Sequence, residues 1–179
     1  MSELLKVTHL HKEFGNNVVL KDINLSVKKG EVVVIIGPSG CGKSTFLRCL
    51  NGLEEIQSGV ITVDGLPVEA GKRDISKMRQ KIGMVFQSYE LFPHKTVLEN
   101  IILAPTKVQK RDKEEATKEA IELLDKVGLV DKKDYYPRQL SGGQKQRVAI
   151  VRALLMHPEI LLFDEVYLLL DGVPVHALL

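Results

Sequence analysis

Nine consecutive residues, Gly37, Pro38, Ser39, Gly40, Cys41, Gly42, Lys43, Ser44 and Thr45, satisfy the spacing G-x-x-x-x-G-K-[ST] at every fixed position. Glycines let a backbone curl until successive N–H groups point at one anion. A helix starting at the lysine turns its positive end to the same place. Lys43 then offers a mobile cation and Ser44 a hydroxyl suited to a hard divalent metal. That chemistry is the gripping of a polyphosphate. A second constellation, Asp164-Glu165, closes the apolar run Ile160-Leu-Leu-Phe163. One acid at a strand end can hold a metal ion, and its neighbour can polarise a water. A third, Leu140-Ser141-Gly142-Gly143-Gln144, puts a good N-cap before two glycines whose N–H groups lie at a helix start. It is an anion site without an anion of its own.

The elements that must carry these groups can be read from periodicity. Ile23, Leu25 and Val27 alternate with Asn24 and Ser26, as in a half-buried strand. Residues 32–36, Val-Val-Val-Ile-Ile, have no polar break, and the pattern predicts a strand buried on both faces immediately before the glycine loop. A helix is expected from Lys43 to about Asn51, a strand and tight turn over Val60-Ile-Thr-Val63-Asp64-Gly65, and a short strand over residues 82–86. Ala116, Ala120, Leu123, Leu124 and Val127 share one helical face, with Gly128 as its stop. Ser141 opens another helix, with Val148, Val151 and Leu155 on one side and His157-Pro158 at its end. Cys41 reads as a small side chain in a loop that works through its backbone, and Cys49 as helix packing.

The chain has 179 residues, 44% of them apolar and 27% charged, which suits one soluble domain with a small insertion. Its 25 basic and 23 acidic residues leave a net charge of +2, so bulk electrostatics give no reason to expect a nucleic-acid partner. No stretch approaches the roughly 18 apolar residues that span a bilayer, and the first residues show no secretory signal. Two cysteines are too few for a disulfide scaffold, and the cell interior is the expected home.

With Leu140-Ser-Gly-Gly-Gln144 between the glycine loop and the acidic pair, the sequence resembles the ATP-binding subunits of ABC transporters from about Leu4 to Glu165. Arg48-Cys-Leu-Asn-Gly-Leu-Glu-Glu55, Gly83-Met-Val-Phe-Gln87 and Leu91-Phe-Pro-His-Lys-Thr-Val-Leu-Glu-Asn-Ile101 make it most similar to bacterial importers of polar amino acids. The resemblance implies an α/β fold: a P-loop NTPase (RecA-like) core with an antiparallel β subdomain and a helical insertion at about 91–136. It implies ATP and Mg²⁺ as cofactors. Phe14 matches the aromatic residue that stacks on adenine, and residues 37–45 match the Walker A loop. Gln87 matches the Q-loop glutamine that contacts metal and water. Ser141, Gly142, Gly143 and Gln144 match the signature that closes on a partner subunit's nucleotide. Asp164 matches the Walker B metal ligand and Glu165 the general base. The implied partners are permease membrane subunits, a second ATP-binding subunit docked head to tail and, indirectly, a solute-binding protein. The implied place is the cytoplasmic face of the plasma membrane, as a peripheral subunit. His94 is expected near the permease contact.

After Glu165 the family pattern breaks. Leu170-Asp171 is a remnant at most, and His176 is out of place for the family's switch histidine. The core is therefore expected to be incomplete at its C-terminus, as in a truncated or frameshifted chain, leaving strands without a shared neighbour. Two rival readings follow: a nucleotide-binding fragment that holds ATP without turnover, and a soluble ATPase of DNA repair or translation.

Overall fold

The computed structural model describes residues 3–71 and 75–164. They divide into two compact units with the boundary after Ile82. In the first, strands β1 (Glu3–Phe14) and β2 (Asn17–Lys28) form an antiparallel hairpin. β3 (Ser58–Val63) pairs with the other edge of β1, and β4 (Leu66–Pro67) pairs with β3, giving the order β2-β1-β3-β4. The β3–β4 turn uses Asp64 and Gly65, both left-handed with φ 50° and 74°, the geometry that matches strand twist.

β1 changes parity halfway. Leu5 and Val7 are buried, then Leu10 and Lys12, because the register breaks between Val7 and Leu10. His9 sits at the break with φ 50°; its N–H donates to Asn24 Oδ1 at 2.9 Å and its ring Nδ1 pairs with Asp22 Oδ1 at 2.6 Å. One extra residue in a ladder moves every later side chain to the other face. That places Lys12, rather than His11, on the buried side.

Helix α1 (Lys43–Leu50) buries Phe46, Leu47, Cys49 and Leu50. Helix α2 (Ile75–Lys81) is tied to the end of α1 by Arg79, whose guanidinium donates to the Asn51 and Gly52 carbonyls at 3.3 and 2.8 Å.

The expected strand over residues 32–36 is not formed. The segment is irregular, and Val32, Val34 and Ile36 are 87%, 75% and 91% exposed. β-Branched composition suits a ladder but cannot replace one: among the described residues no strand pairs with this run.

The second unit contains a two-stranded sheet, β5 (Ile82–Val85) with β6 (Ile160–Phe163), and three helices. α3 (Val97–Lys107) starts in a capping box, in which Thr96 and Glu99 exchange side-chain-to-backbone bonds of 3.2 and 2.8 Å. Its next orphan donors, the Val97 and Leu98 N–H groups, reach the carbonyls of Tyr135 and Lys133. α4 (Lys113–Lys126) is capped by Asp112, which accepts from the Glu114 and Glu115 N–H groups at 2.8 and 3.0 Å. Gly128, at φ 66°, ends it as expected. α5 (Gly142–Leu154) completes the bundle. Ala116, Ala120 and Leu124 of α4 meet Val148, Val151 and Leu155 in one core with Val97, Ile101 and Val85. The interval 91–136 holds α3, α4 and a 3-10 turn at Val130–Lys132.

Candidate functional site

In the first unit, the loop of residues 37–41 is exposed and leads into α1 through Gly42. Gly42 has φ 97°, and a Cβ there would lie 2.9 Å from Val19 Cγ1 and 3.1 Å from Leu20 Cδ2, so both hand and space require glycine. A Cβ on Gly37 would meet Cys41 Sγ at 2.8 Å. The N-terminus of α1 has no side-chain cap and no acidic residue in its first turn. Its positive end is thus left for an external anion rather than neutralised internally. The Lys43 ammonium folds back over the loop and donates to the carbonyls of Gly37 and Pro38, both at 2.8 Å. It also lies 3.8 Å from Cys41 Sγ.

Phe14 ends β1 and is 47% exposed. One face of its ring carries the Lys12 ammonium, 4.3 Å from the centroid. That ammonium donates to the Glu55 carbonyl at 2.7 Å and sits 3.5 Å from a Glu54 carboxylate oxygen. Sequence reasoning missed Lys12, because the parity change that buries it leaves no mark in the alternation pattern. Cys41 is exposed and Cys49 buried; burial pushes the Cys49 thiol up to about 11.

In the second unit, Ser141 caps α5 as expected. Its Oγ accepts from the Gln144 N–H at 3.3 Å, and Gln144 Oε1 accepts from the Ser141 N–H at 2.9 Å. Ser141, Gly142 and Gly143 are exposed. Sequence reasoning also missed this reciprocal role of Gln144, although the S-x-x-Q spacing is a signal that could have found it. Gln87 and Asp164 lie at the same end of the small sheet. Gln87 follows β5 by two residues, Asp164 follows β6 directly, and the Asp164 N–H donates to the Val85 carbonyl at 3.0 Å. Asp164 is buried, while Gln87 is exposed. Glu165, Leu170, Asp171 and His176 lie outside the described residues.

Each unit carries donors suited to part of a magnesium–polyphosphate ligand. In the first, the loop and helix start carry N–H groups, the Lys43 ammonium and the Ser44 hydroxyl, the chemistry that suits phosphate oxygens. In the second, Gln87 and Asp164 are hard oxygen donors, the class Mg²⁺ selects. Among the described residues no three His, Cys, Asp or Glu side chains form a metal cage. That is compatible with an ion that keeps waters and takes oxygens from its nucleotide.

The ABC transporter family pattern matches residues 20–167. The glutamine transport ATP-binding protein GlnQ of Bacillus subtilis is 57% identical over 162 residues, covering 90% of this chain and 67% of that protein. The L-cystine import ATP-binding protein TcyC of the same organism is 56% identical over 166 residues, with the same coverage of 90% and 67%. Among solved structures, the dimeric post-hydrolysis state of the ATP-binding cassette MJ0796, bound to ADP and Pi, superposes with a TM-score of 0.83 at 38% identity. It covers 94% of this chain and 76% of that one. With a nucleotide loop, a capped Ser-Gly-Gly helix start and this breadth of similarity, the chain belongs to the ABC transporter family, among its ATP-binding subunits.

Proposed function

We propose that this chain binds and hydrolyses ATP to power the import of amino acids through a membrane permease. The observation that carries the reading is the glycine loop with its preset Lys43, opening on an uncapped helix start. Phe14 offers a flat face to the base, and residues 37–45 hold the phosphates. Ser44, Gln87 and Asp164 would hold Mg²⁺, which would supply positive charge to offset that of the phosphates. Glu165 takes a proton from the attacking water, and Gln87 orients that water. Ser141, Gly142 and Gly143 close on the γ-phosphate held by a second copy, so that two nucleotides join two subunits. The partners are permease subunits and, through them, a solute-binding protein. The working place is the cytoplasmic face of the inner membrane. Nucleic acid has no part in the cycle.

The test is equilibrium dialysis with MgATP, followed by an assay of phosphate release. Wild-type chain is expected to bind and release phosphate, Lys43→Ala to do neither, and Glu165→Gln to bind without turnover. Failure of the folded wild type to take up MgATP overturns the proposal. Undiminished release by Glu165→Gln removes that residue from the role of base. The second reading is a fragment that binds ATP without turnover, and it rests on the break in the family pattern after Glu165. Uptake without phosphate release would establish that reading.

A further inference from the structure

The segment after Gln87 is held in an expensive conformation. The Tyr89 N–H donates to the Phe86 carbonyl at 3.0 Å, so Gln87 and Ser88 form the corner of a turn. A three-residue turn follows at once, with the Glu90 N–H on the Ser88 carbonyl at 2.8 Å and Tyr89 at its centre with φ 62°. That hand of turn is rare and strained. Glu90 is left-handed too, at φ 46°. Neither residue is glycine, asparagine or aspartate, the types that tolerate this region.

Tyr89 and Glu90 are thus two successive residues of reversed hand. Both carbonyls are taken by one side chain. Arg152, in the last turn of α5, donates Nη1 to Glu90 at 2.6 Å and Nη2 to Tyr89 at 2.8 Å. Burial holds its guanidinium below the ordinary arginine range, opposed by the nearby Glu90 charge. A half-buried cation spent on two neutral carbonyls costs desolvation that a fully exposed arginine avoids. A planar fork can satisfy two adjacent acceptors at once, which an ammonium cannot. Ser88 Oγ adds a bond to Glu90 Oε1 at 2.5 Å.

We infer that Arg152 is a positioning residue for Gln87, its guanidinium fastening the reversed turn at Tyr89 and Glu90 that fixes where the preceding glutamine stands. The inference rests on the reading of Gln87 as a metal and water contact. It also gives α5 a second role. The helix whose start bears Ser141-Gly142-Gly143 pins the Gln87 segment from its other end, about 16 Å away along the axis.

The test compares Arg152→Met, Arg152→Lys and the double variant Arg152→Met/Glu90→Gly. Two readouts are taken: amide exchange of residues 87–91 in the nucleotide-free chain, and the tightening of ATP binding by Mg²⁺ over that in EDTA. Arg152→Met is expected to speed exchange at Tyr89 and Glu90 and to lose about tenfold of the magnesium-dependent tightening. Metal-free ATP affinity should stay within about twofold. Arg152→Lys keeps the charge and lies between. Glycine adopts the left-handed φ without strain, so Glu90→Gly should restore both readouts in the Met background. Unchanged exchange and tightening in Arg152→Met, or no recovery in the double variant, overturns the inference. Should Arg152→Met not fold, Arg152→Lys with and without Glu90→Gly decides by the same criteria. A wild type that binds ATP equally with and without Mg²⁺ defeats the reading of Gln87, while the exchange arm still judges the clamp.

Discussion

Under the proposed function, Lys43 and Phe14 make separable demands on a nucleotide. In that proposal Lys43 reads phosphate charge and Phe14 only a flat π-face, so their loss should differ by ligand. Phe14→Ala is expected to weaken ATP binding by about 1–3 kcal/mol while leaving inorganic tripolyphosphate unchanged. Competition titrations with the two ligands measure this, and equal loss for both removes Phe14 from the base contact. The two thiols separate as well. Cys41 is exposed and Cys49 has its thiol pushed up to about 11 by burial. At about pH 8 one thiol should react promptly with a disulfide reagent, the second only after unfolding. MgATP should slow the reaction at Cys41, which lies within the loop; two prompt equivalents in the native chain contradict the burial of Cys49.

At the scale of elements, α5 does the most varied work. Its capping box stabilises the start that bears the signature, its apolar side builds the core, and its last turn grips the segment after Gln87. Ser141→Ala is expected to cost about 1 kcal/mol, seen as a lower denaturation midpoint. Thr is expected to restore most of it, since its hydroxyl caps in the same way; an unchanged midpoint for Ser141→Ala would show the cap to be idle. Most of this helix is legible in the sequence, because a Ser before two glycines and a spacing of three and four are strong local signals. The same holds for α4 and its Gly128 stop. Arg152 is not legible: a lone arginine in an amphipathic helix reads as a solvated side chain, and its acceptors lie more than sixty residues away in sequence. The parity break at His9 is hidden for a related reason. A non-glycine residue at positive φ leaves no compositional trace, so the odd positions that end at Val7 give no notice that Leu10 and Lys12 follow on the inside. The run at residues 32–36 misleads in the opposite sense. Its residue types announce a buried strand, but burial is conferred by neighbouring strands, which local composition cannot supply.

For the molecule as a whole, that run is the principal liability. Five consecutive β-branched residues, three of them at least 75% exposed, offer apolar surface and a backbone that no strand among the described residues pairs with. Val34→Lys is expected to lower the light-scattering signal of concentrated samples and to reduce binding of an apolar dye. An unaltered aggregation rate would place the sticky surface elsewhere. The core of the second unit should be indifferent to that change, since it closes on itself through Ala116, Ala120, Leu124, Val148 and Val151.

Under the proposed function, the folded-back ammonium of Lys43 has a thermodynamic consequence for ligand capture. Because Nζ already spends hydrogen bonds on the oxygens of Gly37 and Pro38, an arriving triphosphate receives that cation by substitution, one set of acceptors relinquished as another is taken up. The heat of association should therefore be smaller than a tally of phosphate contacts implies. Affinity would come instead from water and counter-ions set loose when the anion settles, so the binding entropy carries the imprint of a lysine that was never waiting in bulk solvent.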